Sequence, residues 1–211
     1  MSPRLLKKRD VSSPEHVDLW ATIQRGSMPQ LVASDIPWDR FWSSYVQAYL
    51  ERDVRALVNV KDEAKFYNCM VACAARTGQL LNASDIGNAI DADHKTVKAW
   101  LSILQASGIV RIVGPPFPNI EKRLTKTPKV YFMDTGLVCH LTRWNTPDQL
   151  RCGAVSGHVF ETFVVSEAPR SRVGVGADLR DYEVGFGHAV CQTREPYLLA
   201  EDVEAVPVWA I

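Results

Sequence analysis

The stretch NASDIGNAIDADHKTVKAWLSILQASG, residues 82–108, decides the fold. Asn82 is placed to cap a short helix carrying Ile86, Ala89 and Ile90. Asp91-Ala92-Asp93 then makes a tight turn in which Asp93 caps a longer helix. On that longer helix Val97, Leu101 and Leu104 recur on one side, while His94, Lys95, Lys98 and Ser102 fall on another. Ser107-Gly108 ends it. A short helix, a three-residue turn and a longer helix with a basic outer face read as a helix-turn-helix.

Moving toward the C-terminus, Ile109 to Val113 is a β-rich run, and 114–119, with three prolines, is a loop. Lys122, Arg123, Lys126 and Lys129 lead into a second strand, Val130 to Met133. Two strands joined by a basic, proline-rich loop after the second helix predict a winged variant. Phosphate contacts by Lys95, Lys98, Lys122, Arg123 and Lys126 would supply its affinity for duplex DNA, with His94 and Ser102 in reach of base edges. Against this stands a plainer reading, in which the unit is a packing module and its lysines are solvated.

Toward the N-terminus, Phe41, Tyr45 and Tyr49 form one four-residue ladder and Trp42, Val46 and Leu50 a second. Extended by Val54 and Leu57, they predict an amphipathic helix of about five turns. A helix over 62–76 buries Phe66, Met70 and Cys73, with Gly78 near its end. Val17 to Ile23 predicts one or two helical turns.

Beyond Met133, Asp134 is read as the N-cap of a short helix over 135–141. The tripeptide Asp134-Thr135-Gly136 also matches an aspartic protease loop, but no second copy exists to share a proton with it. A helix over 157–167 directs Phe160, Val164 and Phe163 inward. Short strands are expected at 197–199 and 203–209. Cys69 and Cys73 lie four apart with apolar neighbours, which favours a core role over a metal. His16, His94, His140, His158 and His188 form no HxxxH or HxH set.

The chain has 211 residues, 46% apolar and 23% charged, and Lys plus Arg equals Asp plus Glu at 24 each. These values suit one globular domain or two small ones. The balanced total hides an asymmetry: residues 93–131 hold seven basic against two acidic side chains, and 173–211 hold two against seven. No apolar run approaches the roughly 20 residues that cross a bilayer. Met1 to Asp10 is basic but no apolar core follows it, so no membrane association and a cytoplasmic location with free thiols are expected.

Several stretches resemble one family: residues 45–55 (YVQAYLERDVR), 75–82 (ARTGQLLN), 127–137 (TPKVYFMDTGL), 160–167 (FETFVVSE) and 205–211 (AVPVWAI). The chain resembles, from about Leu19 onward, the prokaryotic AAA-type ATPases with a C-terminal domain of unknown function. The resemblance implies a P-loop ATPase domain, then a winged helix, then a restriction-endonuclease-like domain. Two departures bear on activity. No GxxxxGK[ST] occurs in this chain, so nothing cradles the β- and γ-phosphates of ATP. Glu161 matches the nuclease-like helix glutamate that would help hold a divalent metal. The Asp and Glu-x-Lys that complete such a site are missing after Glu167. The resemblance therefore implies an internal deletion whose remaining strands lack neighbours and pack poorly.

The expectation is a mostly α protein with small β content. Residues 1–60 form a helical segment linking to an absent ATPase domain, 61–134 a winged helix, and 135–211 a truncated nuclease-like domain. It is read as a non-catalytic DNA-binding or regulatory portion of an AAA-type ATPase, with no cofactor and no metal. The alternatives are a module that docks onto a separate ATPase or other protein, and an inactive nuclease remnant.

Overall fold

The computed structural model describes residues 18–55, 63–114 and 127–167, together with the backbone of the strands at 187–191, 197–200 and 203–207. The chain is mostly helical with a small antiparallel sheet. It divides into two compact units, Leu19–Ser166 and a second drawn from Met1–Asp18 and Glu167–Ile211.

The first unit begins with α1 (Leu19–Arg25), α2 (Pro29–Ala33) and α3 (Trp38–Tyr49). The paired ladders make α3 amphipathic: Phe41, Trp42, Val46 and Tyr49 are buried, with Tyr45 and Leu50 half-buried. The helix does not run on as an α-helix for the expected five turns. From Leu50 to Val54 it widens into a π-helical turn, and Val54 is carried into the core. Leu57 lies outside the described residues.

Helix α4 (Glu63–Ala74) buries Phe66, Cys69, Met70, Ala72, Cys73 and Ala74, more than one face, because it is packed by neighbours on several sides. The Phe66 ring lies 6.5 Å from that of Tyr49 and 5.8 Å, edge-on, from that of Trp100. These contacts seat α4 between the α3 end and the following helix pair.

That pair is α5 (Ala83–Ile90) and α6 (His94–Ala106). Asn82 Oδ1 accepts from the backbone N–H groups of Ser84 (3.1 Å) and Asp85 (3.3 Å), so the first helix starts where its side-chain cap dictates. It ends at Asp91, whose φ of 53° is left-handed. Asp93 caps α6, which buries Val97, Trp100, Leu101 and Leu104 against the rest of the core. Ile86 is buried as the pattern requires, whereas Ala89 is exposed.

Strands β1 (Val110–Val113) and β2 (Lys129–Phe132) pair antiparallel, Val110 opposite Phe132 and Val113 opposite Lys129. A segment with no β signature joins them. Gly78 N–H donates to Val130 O (2.8 Å), Val130 N–H to Gln79 O (3.2 Å), and Leu81 N–H to Pro128 O (2.8 Å), which sets Leu80 opposite Lys129. Gly78 has φ +73°, and a Cβ there would meet the His158 carbonyl oxygen at 2.9 Å, so only glycine fits.

The unit closes with α7 (Thr135–Thr142), α8 (Pro147–Cys152) and α9 (Ser156–Glu167). Asp134 caps α7 as expected; Thr146 caps α8, with Pro147 at its first position. The fully buried residues of α9 are Val159, Thr162 and Ser166; Phe160 and Phe163 pack half-buried against the core, and Val164 is half-buried. Small side chains face inward because α9 lies against the backbone at Gly78. One core runs from Ile23 on α1 to Val159 on α9.

In the second unit, β3 (Gly187–Cys191) pairs parallel with β5 (Val203–Pro207), which pairs antiparallel with β4 (Tyr197–Ala200). These strands were expected to lack neighbours; they have each other, with β5 at the centre. Residues 168–186, where the deletion was inferred, lie outside the described residues.

Candidate nucleic-acid interface

His94, Lys95, Lys98 and Ser102 are all exposed on the outer side of α6. The cap fixes where that side begins. Asp93 Oδ1 accepts from Lys95 N–H (2.8 Å) and Thr96 N–H (3.0 Å), and its Oδ2 from the Thr96 hydroxyl (2.5 Å). The Thr96 hydroxyl and then these two N–H groups hold the Asp93 carboxyl below its ordinary range. Ser102 Oγ donates to Lys98 O at 3.0 Å. Neither Lys95 nor Lys98 makes an ion pair among the described residues. A shallow open groove beside them is lined by Leu80, Asn82, Ser84, His94, Lys98 and Thr127. Lys122, Arg123 and Lys126 lie outside the described residues.

The surrounding charge is mixed. Asp85, Asp91 and Asp93 are exposed on the same helix pair, and Lys65 Nζ is bound to both Asp91 Oδ2 (3.2 Å) and Asp91 O (2.5 Å). Lys129, one of the seven basic residues between 93 and 131, is already paired: its Nζ lies 2.7 Å from Glu161 Oε1.

Glu161 is held by two donors from β2. Lys129 and Tyr131 alternate onto the same side of the strand, and the Tyr131 hydroxyl donates to the same Oε1 at 2.6 Å. Burial pushes the Glu161 carboxyl up, but the two hydrogen bonds and the Lys129 charge prevail and leave it below its ordinary value. Burial, then the bond to Glu161, raises the Tyr131 hydroxyl well above its own. The carboxylate matched to a nuclease metal ligand thus carries an ammonium ion and a phenol. Among the described residues no three His, Cys, Asp or Glu side chains gather as a metal site.

Cys69 and Cys73 are free thiols buried in α4 and hydrogen-bonded to each other; that hydrogen bond lowers the Cys69 thiol and, with burial, raises Cys73 well above the usual range. The Asp134-Thr135-Gly136 run is a helix start: Asp134 is buried, and its Oδ1 accepts from Gly136 N–H at 2.8 Å. Sequence reading missed the Glu161 clamp, because its partners lie 30 and 32 positions away. It also missed the bridge that the turn at 78–81 makes to β2, for which no signal exists beyond Gly78. Helix α8 was missed despite a usable one, Thr146 followed by Pro147.

Among the described residues no helix is long and apolar enough to cross a membrane. A family model described as a domain of unknown function, DUF8612, matches residues 16–148. Uncharacterised proteins of Mycobacterium bovis and Mycobacterium tuberculosis are each 29% identical over 163 residues, covering 77% of this chain and 36% of theirs. The chain therefore spans about a third of the length of the curated relatives it matches. No solved structure matches it. The family match takes in α1 to α7, including the helix pair, the β1–β2 ribbon and the buried Asp134 cap, and on that extent the chain belongs to the DUF8612 family.

Proposed function

We propose that residues 61–134 act as a winged helix that binds duplex DNA, and that the protein is a non-catalytic, regulatory portion of an AAA-type ATPase. The observation that carries the DNA reading is the outer side of α6, where Lys95 and Lys98 are exposed and in no ion pair among the described residues. The order α5, turn, α6, β1, β2 supports it, since that arrangement lays the second helix along a groove of DNA. Phosphate contacts by Lys95 and Lys98 supply affinity, and His94 and Ser102 lie beside them. Lys122, Arg123 and Lys126 complete the contact set in this proposal.

The ATPase association rests on the resemblance of residues 45–55, 75–82 and 127–137. The free thiols of Cys69, Cys73, Cys139 and Cys152 suit the cytoplasm in which we place it. One observation favours a second reading, docking onto a protein partner: Val32 and Ile36, four positions apart, are both exposed, at 71% and 38%.

Gel shift of the full chain on duplex DNA tests the first reading. Binding weakens steeply between about 50 and 200 mM salt, and Lys98→Glu weakens it by about tenfold or more at the lower value. No shift at low salt, or a Lys98→Glu variant that binds like the parent, refutes it.

A further inference from the structure

We infer that Lys129 is a further phosphate-binding residue and that Glu161 restrains it, so that nucleic acid competes with this carboxylate for the lysine ammonium. The inference rests on the DNA reading above. Lys129 adjoins two residues of the groove beside α6: Leu80, directly opposite it in an isolated β-bridge, and Thr127, two residues before it, both line that groove together with His94 and Lys98. Side chains directly opposite in an antiparallel pair share one face, so Lys129 and the exposed Leu80 are neighbours on the same surface.

The ion pair is built to exchange. Both side chains remain about two-fifths exposed, 40% for Lys129 and 39% for Glu161, so salt and phosphate oxygens reach them. Part-exposed pairs of this kind are weakly held. Tyr131 gives the clamp its second property. Its hydroxyl holds Glu161 Oε1 at 2.6 Å, which keeps the carboxylate in place when Lys129 leaves and ready to take it back. A phosphodiester oxygen offers the ammonium the same chemistry as Oε1, one negative oxygen acceptor, and in a duplex it comes with the neighbouring phosphates that Lys95 and Lys98 engage.

The test is a duplex DNA titration of the full chain across a salt series with four proteins: the parent, Glu161→Gln, Lys129→Gln and the double variant. Releasing one lysine adds one phosphate contact, so Glu161→Gln binds about three- to tenfold more tightly at low salt and steepens the log–log salt slope by about one. Lys129→Gln alone stays within about twofold of the parent, because its ammonium is already engaged, and the double variant loses the gain. Unchanged or weaker binding by Glu161→Gln, or a gain that survives in the double variant, overturns the inference. If the parent and Lys98→Glu bind alike, the DNA reading fails and takes this one with it. If Lys98→Glu weakens binding while Glu161→Gln changes nothing, only the restraint fails. Should Glu161→Gln fail to fold, the Lys129 ammonium resonance of the parent is followed by NMR through the same titration. A shift on adding DNA supports displacement from Glu161, and a resonance that stays put overturns it.

Discussion

Ser27 and Asp134, 107 positions apart, are joined twice: Asp134 Oδ2 accepts from the Ser27 backbone N–H at 3.0 Å and from its hydroxyl at 3.1 Å. With Oδ1 on Gly136 N–H, one buried carboxylate ties the turn after α1 to the start of α7. Gly26 beside it has φ +84°, and a Cβ there would strike Asp134 Oδ1.

Removing that carboxylate strands buried donors as well as a helix cap. Asp134→Ala is expected to cost about 2–4 kcal/mol, and Ser27→Ala about 1 kcal/mol, since the second loses one bond and leaves the backbone contact intact. Urea unfolding of the full chain measures both. A loss at Asp134 no larger than at Ser27 contradicts the assignment.

Thr77 and Thr162 present a proton-direction problem that counting solves. The Thr162 hydroxyl, with one hydrogen, donates to His158 O at 2.8 Å. Its contact with Thr77 at 2.9 Å must then be donated by Thr77, whose oxygen accepts Phe132 N–H at 3.2 Å. Thr77→Val leaves the Phe132 N–H without a partner and is expected to cost about 1–3 kcal/mol; Thr162→Val, which orphans no backbone donor, costs less. Hydrogen exchange at Phe132 is the specific readout: it accelerates in Thr77→Val and stays slow in Thr162→Val.

His140 makes stability depend on pH. Its ring is buried on α7, edge-on to Trp38 at 5.7 Å, with Nδ1 3.3 Å from Asp39 Oδ1. Burial lowers the pKa, the Asp39 charge opposes this, and the nearby Arg143 adds to the lowering, for a net fall below the ordinary value of about 6.5. The unfolded chain then takes up the proton first as pH falls. The His140 contribution is complete above about pH 6.5 and is lost on acidification toward the folded pKa. His140→Asn flattens the melting temperature in that window. Asp39→Asn removes the opposing charge and carries the decline to lower pH. A parent melting temperature that rises on acidification through this range excludes the account.

Much of the fold is legible because its signals are local. Asn82, Asp93 and Asp134 each announce a helix start with one side chain, and the ladders of α3 and α6 state which face is buried. What was not legible is what depends on distant partners. The ribbon's third segment is set by backbone bonds from Gly78 to Leu81, which leave no side-chain pattern. On α9 bulk does not equal full burial: Thr162 and Ser166 are sealed where the backbone comes close, while Phe160 and Phe163 pack half-buried against the core. The candidate interface divides the same way. The outer face of α6 follows from helical spacing, but the pairing of Lys129 required knowing that α9 brings Glu161 across it.

The cysteines separate by the same contrast between burial and exposure, and alkylation of the folded chain reads it out. Cys152 is exposed at the end of α8, whereas Cys69, Cys73 and Cys139 are buried. Thiol alkylation needs both access and the thiolate. Cys139 lacks both, because burial first, then the charge of Asp134, pushes its thiol up to about 12. Cys73 is raised by its bond to Cys69 and by burial. Cys69 is lowered by the same bond yet sealed in the core, so its thiolate is out of reach until the unit opens. Iodoacetamide followed by peptide mass mapping is expected to modify Cys152 within minutes at pH 8. Cys69, Cys73 and Cys139 react only as fast as the Leu19–Ser166 unit unfolds, together and with a common urea dependence. Early, separate modification of Cys69 would mean that α4 opens on its own, and the Phe66 contacts with Tyr49 and Trp100 would then not be what secures it.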